Sequence, residues 1–231
     1  MQPREYGRGF WDLLPHEERR VLWSLGRDRD YSPGATLCVE GDPATHVFIL
    51  LHGWVKVLAT SEDGRESVLA LRGAGDIVGE TAGPTTGRRN ATLQAMVTVR
   101  ALIVGYPRFD SFLDTHQGSG RAYRHALTYR WRDADTMLRI RAATNGAQRL
   151  AGLLVDLAER LGGQAEGVIE IGLPLSQEEL ASLAGTSRAT VARALNGWRK
   201  RGLIRTGQRR ITLTDVAGLR KAAGPARAAP S

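Results

Sequence analysis

"LSQEELASLAGTSRATVARALNGWRKRGLI", Leu175 to Ile204, carries the densest local signals in the chain. Ser176 followed three residues later by Glu179 is a capping box, in which a hydroxyl and a carboxylate each satisfy the other residue's backbone N–H. It predicts a helix over 177–184, which Gly185 ends by taking a positive φ. A second helix starts at Thr186 or Ser187. It carries Val191, Ala194, Leu195 and Trp198 at spacings of three and four, so those four share a buried face. Arg188, Ala189, Ala192, Arg193 and Asn196 are left to the other face. Two short helices joined by a tight turn form a helix-turn-helix, whose second helix offers its first turns to base edges in a DNA groove. "GLIRTGQRRITL" then alternates into two strands around a Gly-containing turn, a wing with Arg209 and Arg210 at its tip.

Charge supports that reading. From Ser176 to Arg210 eight basic residues stand against Glu178 and Glu179, so this stretch holds +6 of the chain's formal +8. A merely solvated helix interleaves both signs, whereas one sign concentrated on a small module suits phosphate neutralisation. Arg188 and Arg193 carry forks that pair with O6 and N7 of guanine, and Ala189 between them offers a methyl to thymine. Ser176, Ser187, Thr190, Arg209 and Arg210, with Gln177 beside them, are placed for contacts that fix register on the phosphate backbone.

Outward from this module, 231 residues with 42% hydrophobic content suffice for one large domain or two modest ones. A single cysteine, Cys38, excludes an intramolecular disulfide framework and a four-cysteine metal site. No run of about 18 apolar residues occurs, and the first twenty residues lack the apolar centre of a signal peptide. A cytoplasmic protein with no membrane partner is expected.

From about Tyr31 to Tyr106 short β-type runs such as "THVFILLHGWVKVLA" and "ATLQAMVTVRALIVG" are punctuated by glycines. They predict a small antiparallel barrel or jelly roll. Helices are expected over Gly9 to Gly26 and Pro107 to Thr115, with "HQGSG" breaking the pattern after the second. A long connecting helix follows, then another, with the break near Thr144 to Gly146. Leu127, Trp131, Ala134 and Leu138 are spaced four, three and four, as in a coiled-coil seam that Arg141 interrupts. The same stripe could instead pack on the chain's own barrel. The expected class is α+β: a β-roll with flanking helices over 1–116, a dimerisation helix and hinge over 117–145, a winged helix-turn-helix over 146–222 and a disordered tail over 223–231.

This order of parts resembles the Crp–Fnr family of bacterial transcription regulators. "LSQEELASLAGTSRATVARALNGWRKRGLI" is similar to the family's DNA-binding motif, and "GDIVGE" resembles the start of its cyclic-nucleotide cassette. The resemblance implies a homodimer on an inverted repeat in double-stranded DNA, with RNA polymerase as a further partner and cAMP or cGMP as effector. A cyclic phosphodiester calls for a guanidinium, and a ribose hydroxyl for a carboxylate. On that pattern Gly79, Glu80 and Thr81 form the ribose side, and Arg88, Arg89 and Asn90 the phosphate side. Asp135 falls where cyclic-AMP receptors meet the base, and its carboxylate suits the N1 and N2 donors of guanine. "TAGPTTG" departs from the family by inserting Gly83, Pro84 and Gly87.

Alternatives stay open at this stage. Glu80 and Arg89 also read as an exposed turn carboxylate and a surface charge, which leaves a constitutively DNA-competent regulator whose β-roll is only a scaffold. One cysteine cannot supply the set that Fnr-like oxygen sensors need, and His46, His52, His116 and His125 are scattered as structural histidines usually are. A cupin-type metal enzyme is the remote alternative, since His46 and His52 are six apart with no HxH pair. The expectation is not an enzyme.

Overall fold

The computed structural model describes residues 9–82, 87–161, 168–207 and 210–224. The chain divides into two compact units, 1–131 and 132–231.

The first unit opens with two helices, α1 (Phe10–Leu13) and α2 (His16–Leu25), rather than the one expected over Gly9 to Gly26. Pro15 divides them. It forces Leu14 into extended backbone and then serves as the N-cap of α2. Eight strands follow: β1 (Arg27–Tyr31), β2 (Thr36–Cys38), β3 (His46–His52), β4 (Trp54–Thr60), β5 (Glu66–Gly73), β6 (Ile77–Val78), β7 (Thr92–Ala95) and β8 (Val99–Gly105). They form two four-stranded antiparallel sheets, ordered β1-β8-β3-β6 and β2-β7-β4-β5. Among the described residues this is the jelly roll that the glycine-punctuated runs predicted.

The apolar run "HVFILLH" in β3 is buried on both faces, as a strand between two layers must be. Phe48 and Leu50 pack with Val55, Val78 and Leu93 inside the roll. Val47 and Ile49 face the other way, onto Phe10, Leu22 and the aromatics of α3 (Tyr106–Thr115). Phe10 meets Phe109 and Tyr123 edge-on, at 5.8 and 6.1 Å between ring centroids.

The expected break at "HQGSG" shrinks to His116, because α4 (Gln117–Arg141) starts inside it. The physical reason is distant in sequence. Glu18 on α2 accepts from both the N–H and the hydroxyl of buried Ser119 at 2.5 Å, supplying α4 with an N-terminal carboxylate. A Cβ on Gly118 would lie 2.6 Å from that carboxylate, so the approach needs glycine.

After a break at 142–145 the second unit continues with α5 (Gly146–Leu161), β9 (Ile169–Ile171), α6 (Gln177–Ala184), α7 (Arg188–Lys200), β10 (Ile204–Gly207), β11 (Arg210–Leu213) and α8 (Val216–Ala223). The strands make one antiparallel sheet, β10-β11-β9. Leu150, Leu153, Leu154, Leu157, Leu180, Val191 and Trp198 are buried in this unit. Residues 162–167, the inserted Gly83 and Pro84, the wing-tip Arg209 and most of the tail lie outside the described residues. No described helix is long and apolar enough to cross a membrane.

Candidate functional site

Two sites emerge, one in each unit. In the first, the chain leaves β6 and turns at Gly79 with φ +82, a conformation that glycine takes without steric cost. A Cβ there would lie 2.5 Å from Arg89 Nη1. The Gly79 carbonyl accepts from Arg89 Nη1 at 3.3 Å and from the Tyr106 hydroxyl. Glu80 and Arg89 are 2% and 3% exposed, so neither is a surface charge. Glu80 Oε1 is ion-paired with Arg130 of α4, whose other Nη donates to the Ile77 carbonyl. Arg89 lies 5.3 Å over the Phe48 ring.

Each of these buried charges has one atom left over. Glu80 Oε2 and Arg89 Nη2 have no hydrogen-bond partner among the described residues. Buried polar atoms are nearly always satisfied, so a pair of orphans at one place marks a site for a ligand. Their fields reach the neighbours: burial and then Glu80 push the Tyr123 hydroxyl up to about 12, and burial and then Arg89 push His46 down.

Glu80 and Arg89 line one cavity of about 270 Å³. Gly79, Thr81, Asn90 and Arg130 share its polar side, and the Asn90 amide donates to the Thr81 hydroxyl at 3.2 Å. Cys38, Val57, Leu69 and Leu93 make its apolar side. Two expected members are not there. Arg88 is exposed and donates to the Gly41 carbonyl at 2.8 Å, away from the cavity. Asp135 is exposed on α4 in the second unit, whereas every lining residue belongs to the first. Sequence reading missed Arg130 and Arg72, which also line it. Nothing local marks Arg130, whose partner is fifty residues away. Arg72, at the end of a strand that leads into "GDIVGE", was open to inspection.

In the second unit the local signals hold. Ser176 Oγ accepts from the Glu179 N–H at 3.1 Å and Glu179 accepts from the Ser176 N–H at 2.8 Å, the expected capping box. Gly185 ends α6 at φ +59. Ser187 caps α7, accepting from the Thr190 N–H at 3.2 Å. Val191, Leu195 and Trp198 are buried, while Ala194 is only half-buried, at the edge of that face. Arg188, Ala189, Arg193, Ser187, Ser176 and Gln177 are exposed and Thr190 half-exposed. Neither Arg188 nor Arg193 has a hydrogen-bond or ion-pair partner among the described residues. Five residues are about 140° past a full turn, so the two arginines leave α7 in different directions. Arg193 and Arg201 line a cleft of about 550 Å³ beside Gly146 at the start of α5. Arg210, on β11, is ion-paired with Glu170 at 3.1 Å.

Arg141, which interrupts the apolar seam, has a structural role. Its guanidinium donates to the carbonyls of Ser182 and Leu183 at 3.5 Å, charge against the C-terminal end of α6. Gly146 abuts the turn between α6 and α7, where a Cβ would lie 2.0 Å from Thr186 Oγ1.

A β-roll with a charged, unsatisfied cavity and a winged helix-turn-helix with bare arginines together define an effector-responsive DNA-binding regulator. Residues 28–116 match the cyclic nucleotide-binding domain family, and residues 148–222 match the Crp-like helix-turn-helix domain. The chain is 30% identical to a CRP-like cAMP-activated global transcriptional regulator of Mycobacterium tuberculosis, over 84% of this chain and 87% of that protein. It is 28% identical to a cyclic AMP receptor protein of Thermus thermophilus, over 93% and 95% of the two chains. The solved structure of TTHB099, a CRP-family transcriptional regulator from the same organism, matches with a TM-score of 0.70 at 26% identity, over 86% of this chain and 97% of that one. The chain belongs to the Crp–Fnr family of transcription regulators.

Proposed function

We propose that the chain acts as a homodimer on an inverted-repeat DNA site and that a cyclic purine nucleotide in the β-roll cavity sets its grip. The observation that carries this reading is the pair of buried orphan atoms, Glu80 Oε2 and Arg89 Nη2, facing one cavity. They ask for a hydroxyl donor and an anionic oxygen in the same small molecule, which a ribose cyclic phosphate supplies. Thr81 and Asn90 extend the polar wall beside them.

On DNA, Arg188 and Arg193 read base edges, Ala189 meets a thymine methyl, and Ser176, Gln177, Ser187 and Thr190 hold phosphates. The Ser176 hydroxyl accepts within the protein and keeps its O–H to donate outward, while Ser187 and Thr190 share a hydroxyl–hydroxyl bond at 3.0 Å that leaves one of the two O–H groups for a phosphate. Arg209 and Arg210 add backbone contacts. Dimerisation uses the exposed seam of α4, where Trp131 and Leu138 are 73% and 65% exposed. RNA polymerase is the expected protein partner.

An effector shifts an equilibrium only by its differential affinity for the two arrangements of a protein. Thermal melts of the full chain with cAMP and cGMP test the first step, since selective binding to the folded state raises the Tm. A rise that disappears in Arg89→Leu supports the reading. An unchanged Tm with both nucleotides, alongside specific DNA binding in their absence, favours a constitutive regulator.

A further inference from the structure

We propose that Asp133, Asp156 and Arg160 form a proton-operated catch that fastens the end of α4 to the DNA-binding module in acid and releases it near neutral pH. Its consequence for DNA rests on the dimer reading above.

The catch sits in a helical hairpin. Residues 132–141 of α4 belong to the second unit, and the chain reverses at 142–145 into α5. Ile140 packs on Gly152, where a Cβ would meet its Cγ1 at 3.3 Å, and Arg160 Nη2 lies 3.3 Å from Asp133 Oδ2. Moving back along α4 from Ile140 to Asp133 moves the partner on along α5 from Gly152 to Arg160, so the two helices run antiparallel. Near the turn, Arg141 also holds the last carbonyls of α6. Asp133 lies about 12 Å of helix from Arg141, so the contact with Arg160 acts far from the turn, with leverage on the angle between the helices.

Asp156 competes for the same guanidinium. Its Oδ2 lies 3.6 Å from Arg160 Nη1 and is buried without a hydrogen-bond partner among the described residues. Asp156 is 5% exposed, and among the described residues no other charged side chain of this unit is as deeply enclosed. A neutral carboxyl tolerates such burial far better than an ionised one. Ionised, it draws Arg160 away from Asp133; protonated, it leaves that pair alone.

The surrounding charges set when the proton leaves. Glu159 and Arg160 flank Asp156 on α5, Asp133 faces it from α4, and Arg220 of α8 binds Glu159 at 2.8 Å. α6, α7 and β9 also pack on α5, and the buried side chains they bring, such as Leu180, Val191 and Ile171, are apolar. Burial, opposed by Arg160 and reinforced by the two other carboxylates, lifts the Asp156 pKa to about 6. Opening the hairpin removes Asp133 and lets that pKa fall toward 3.8. The closed hairpin is therefore favoured in acid, and the preference is lost as pH rises through about 6. The second unit holds no histidine, the side chain that ordinarily changes charge in this range. His16, His46, His52, His116 and His125 all precede residue 132. In a dimer joined along α4, a fastened hairpin presents both α7 helices at a fixed spacing, whereas a released one must be ordered on binding.

The test is amide hydrogen exchange on the full chain at pH ~5 and pH ~7.5, read as protection relative to intrinsic rates. Fluorescence anisotropy at constant ionic strength accompanies it, on an inverted-repeat duplex selected from random sequence by the wild type and on its half-site. Protection over 132–141 should be at least about tenfold higher in acid, within the factor on the order of a hundred that the shift in pKa allows. The inverted repeat should bind about fivefold or more tightly in acid, with little change for the half-site. Asp156→Asn should keep acid-like protection and affinity at both pH values, and Asp133→Asn should lack that protection at both. Protection that follows pH equally in the wild type and Asp156→Asn overturns the catch. An affinity change that the half-site shares equally overturns its coupling to DNA, because one added positive charge then accounts for it. Protection that follows pH as expected, with no preference for the inverted repeat over the half-site, overturns the dimer reading and leaves the catch standing.

Discussion

The Arg130 guanidinium reaches from α4 into the β-roll and is ion-paired with the Glu80 carboxylate, which is almost fully buried. Removing one partner of a buried pair strands the other charge, at a cost of about 3–5 kcal/mol when both are fully enclosed. The Arg130 side chain keeps 25% of its surface exposed, so Arg130→Ala should lose nearer ~2–3 kcal/mol on that scale. Glu80→Gln with Arg130→Met should lose less than the two single variants summed, because no charge is stranded. Urea melts of the four proteins measure this, and simple additivity would refute the coupling.

Arg160 on α5 lies 3.3 Å from Asp133 and 3.6 Å from Asp156. Burial, opposed by Arg160 and reinforced by Asp133 and Glu159, pushes the Asp156 carboxyl up to about 6 from 3.8. The folded pKa exceeds the unfolded one, so the stabilisation from holding the proton is complete below pH 3.8 and is lost as pH rises through about 6. Above that the ionised group costs on the order of 3 kcal/mol. Asp156→Asn should therefore raise the Tm near neutral pH and leave it unchanged near pH ~4. An equal gain at both would rule out titration as the cause.

Arg188→Ala and Arg193→Ala should each cost about 1–3 kcal/mol on target DNA and relax preference at one base position. Arg210→Ala should act differently. Its charge is already shared with Glu170, so it should weaken target and scrambled DNA equally, and by less. Fluorescence anisotropy on both duplexes separates the cases. An unchanged target-to-scrambled ratio for Arg193→Ala would remove it from base reading.

If the proposed dimer forms through this seam, Trp131→Glu combined with Leu138→Glu should make it monomeric in sedimentation, with little change in the melting of the fold. Both side chains are largely exposed, so the folded chain loses little packing. A monomeric wild type would end the dimer reading.

How much of this was written locally varies from element to element. The helix-turn-helix was legible because its signals are short-range: Ser176 and Glu179 three apart, Gly185 at the turn, Ser187 at the next cap. The cavity was half legible. Glu80 and Arg89 stood out by pattern, but their burial and orphan atoms come from packing. Arg88 was expected beside Arg89 as its neighbour on the phosphate side, yet adjacent residues at a strand entrance point to opposite sides, and only Arg89 turns inward. Arg130, and Glu18 at the head of α4, answer to partners far along the chain, which periodicity does not record.

Gly79 meets three demands at once: a left-handed backbone, no atom where Arg89 Nη1 sits, and a carbonyl shared by Arg89 and Tyr106. No other amino acid satisfies all three, so mutation has nowhere to go at this position. Divergence in what such a roll senses falls instead to other side chains of the wall, which can be exchanged while the anchor stays frozen. New signals are then acquired by small steps, without rebuilding the receptor.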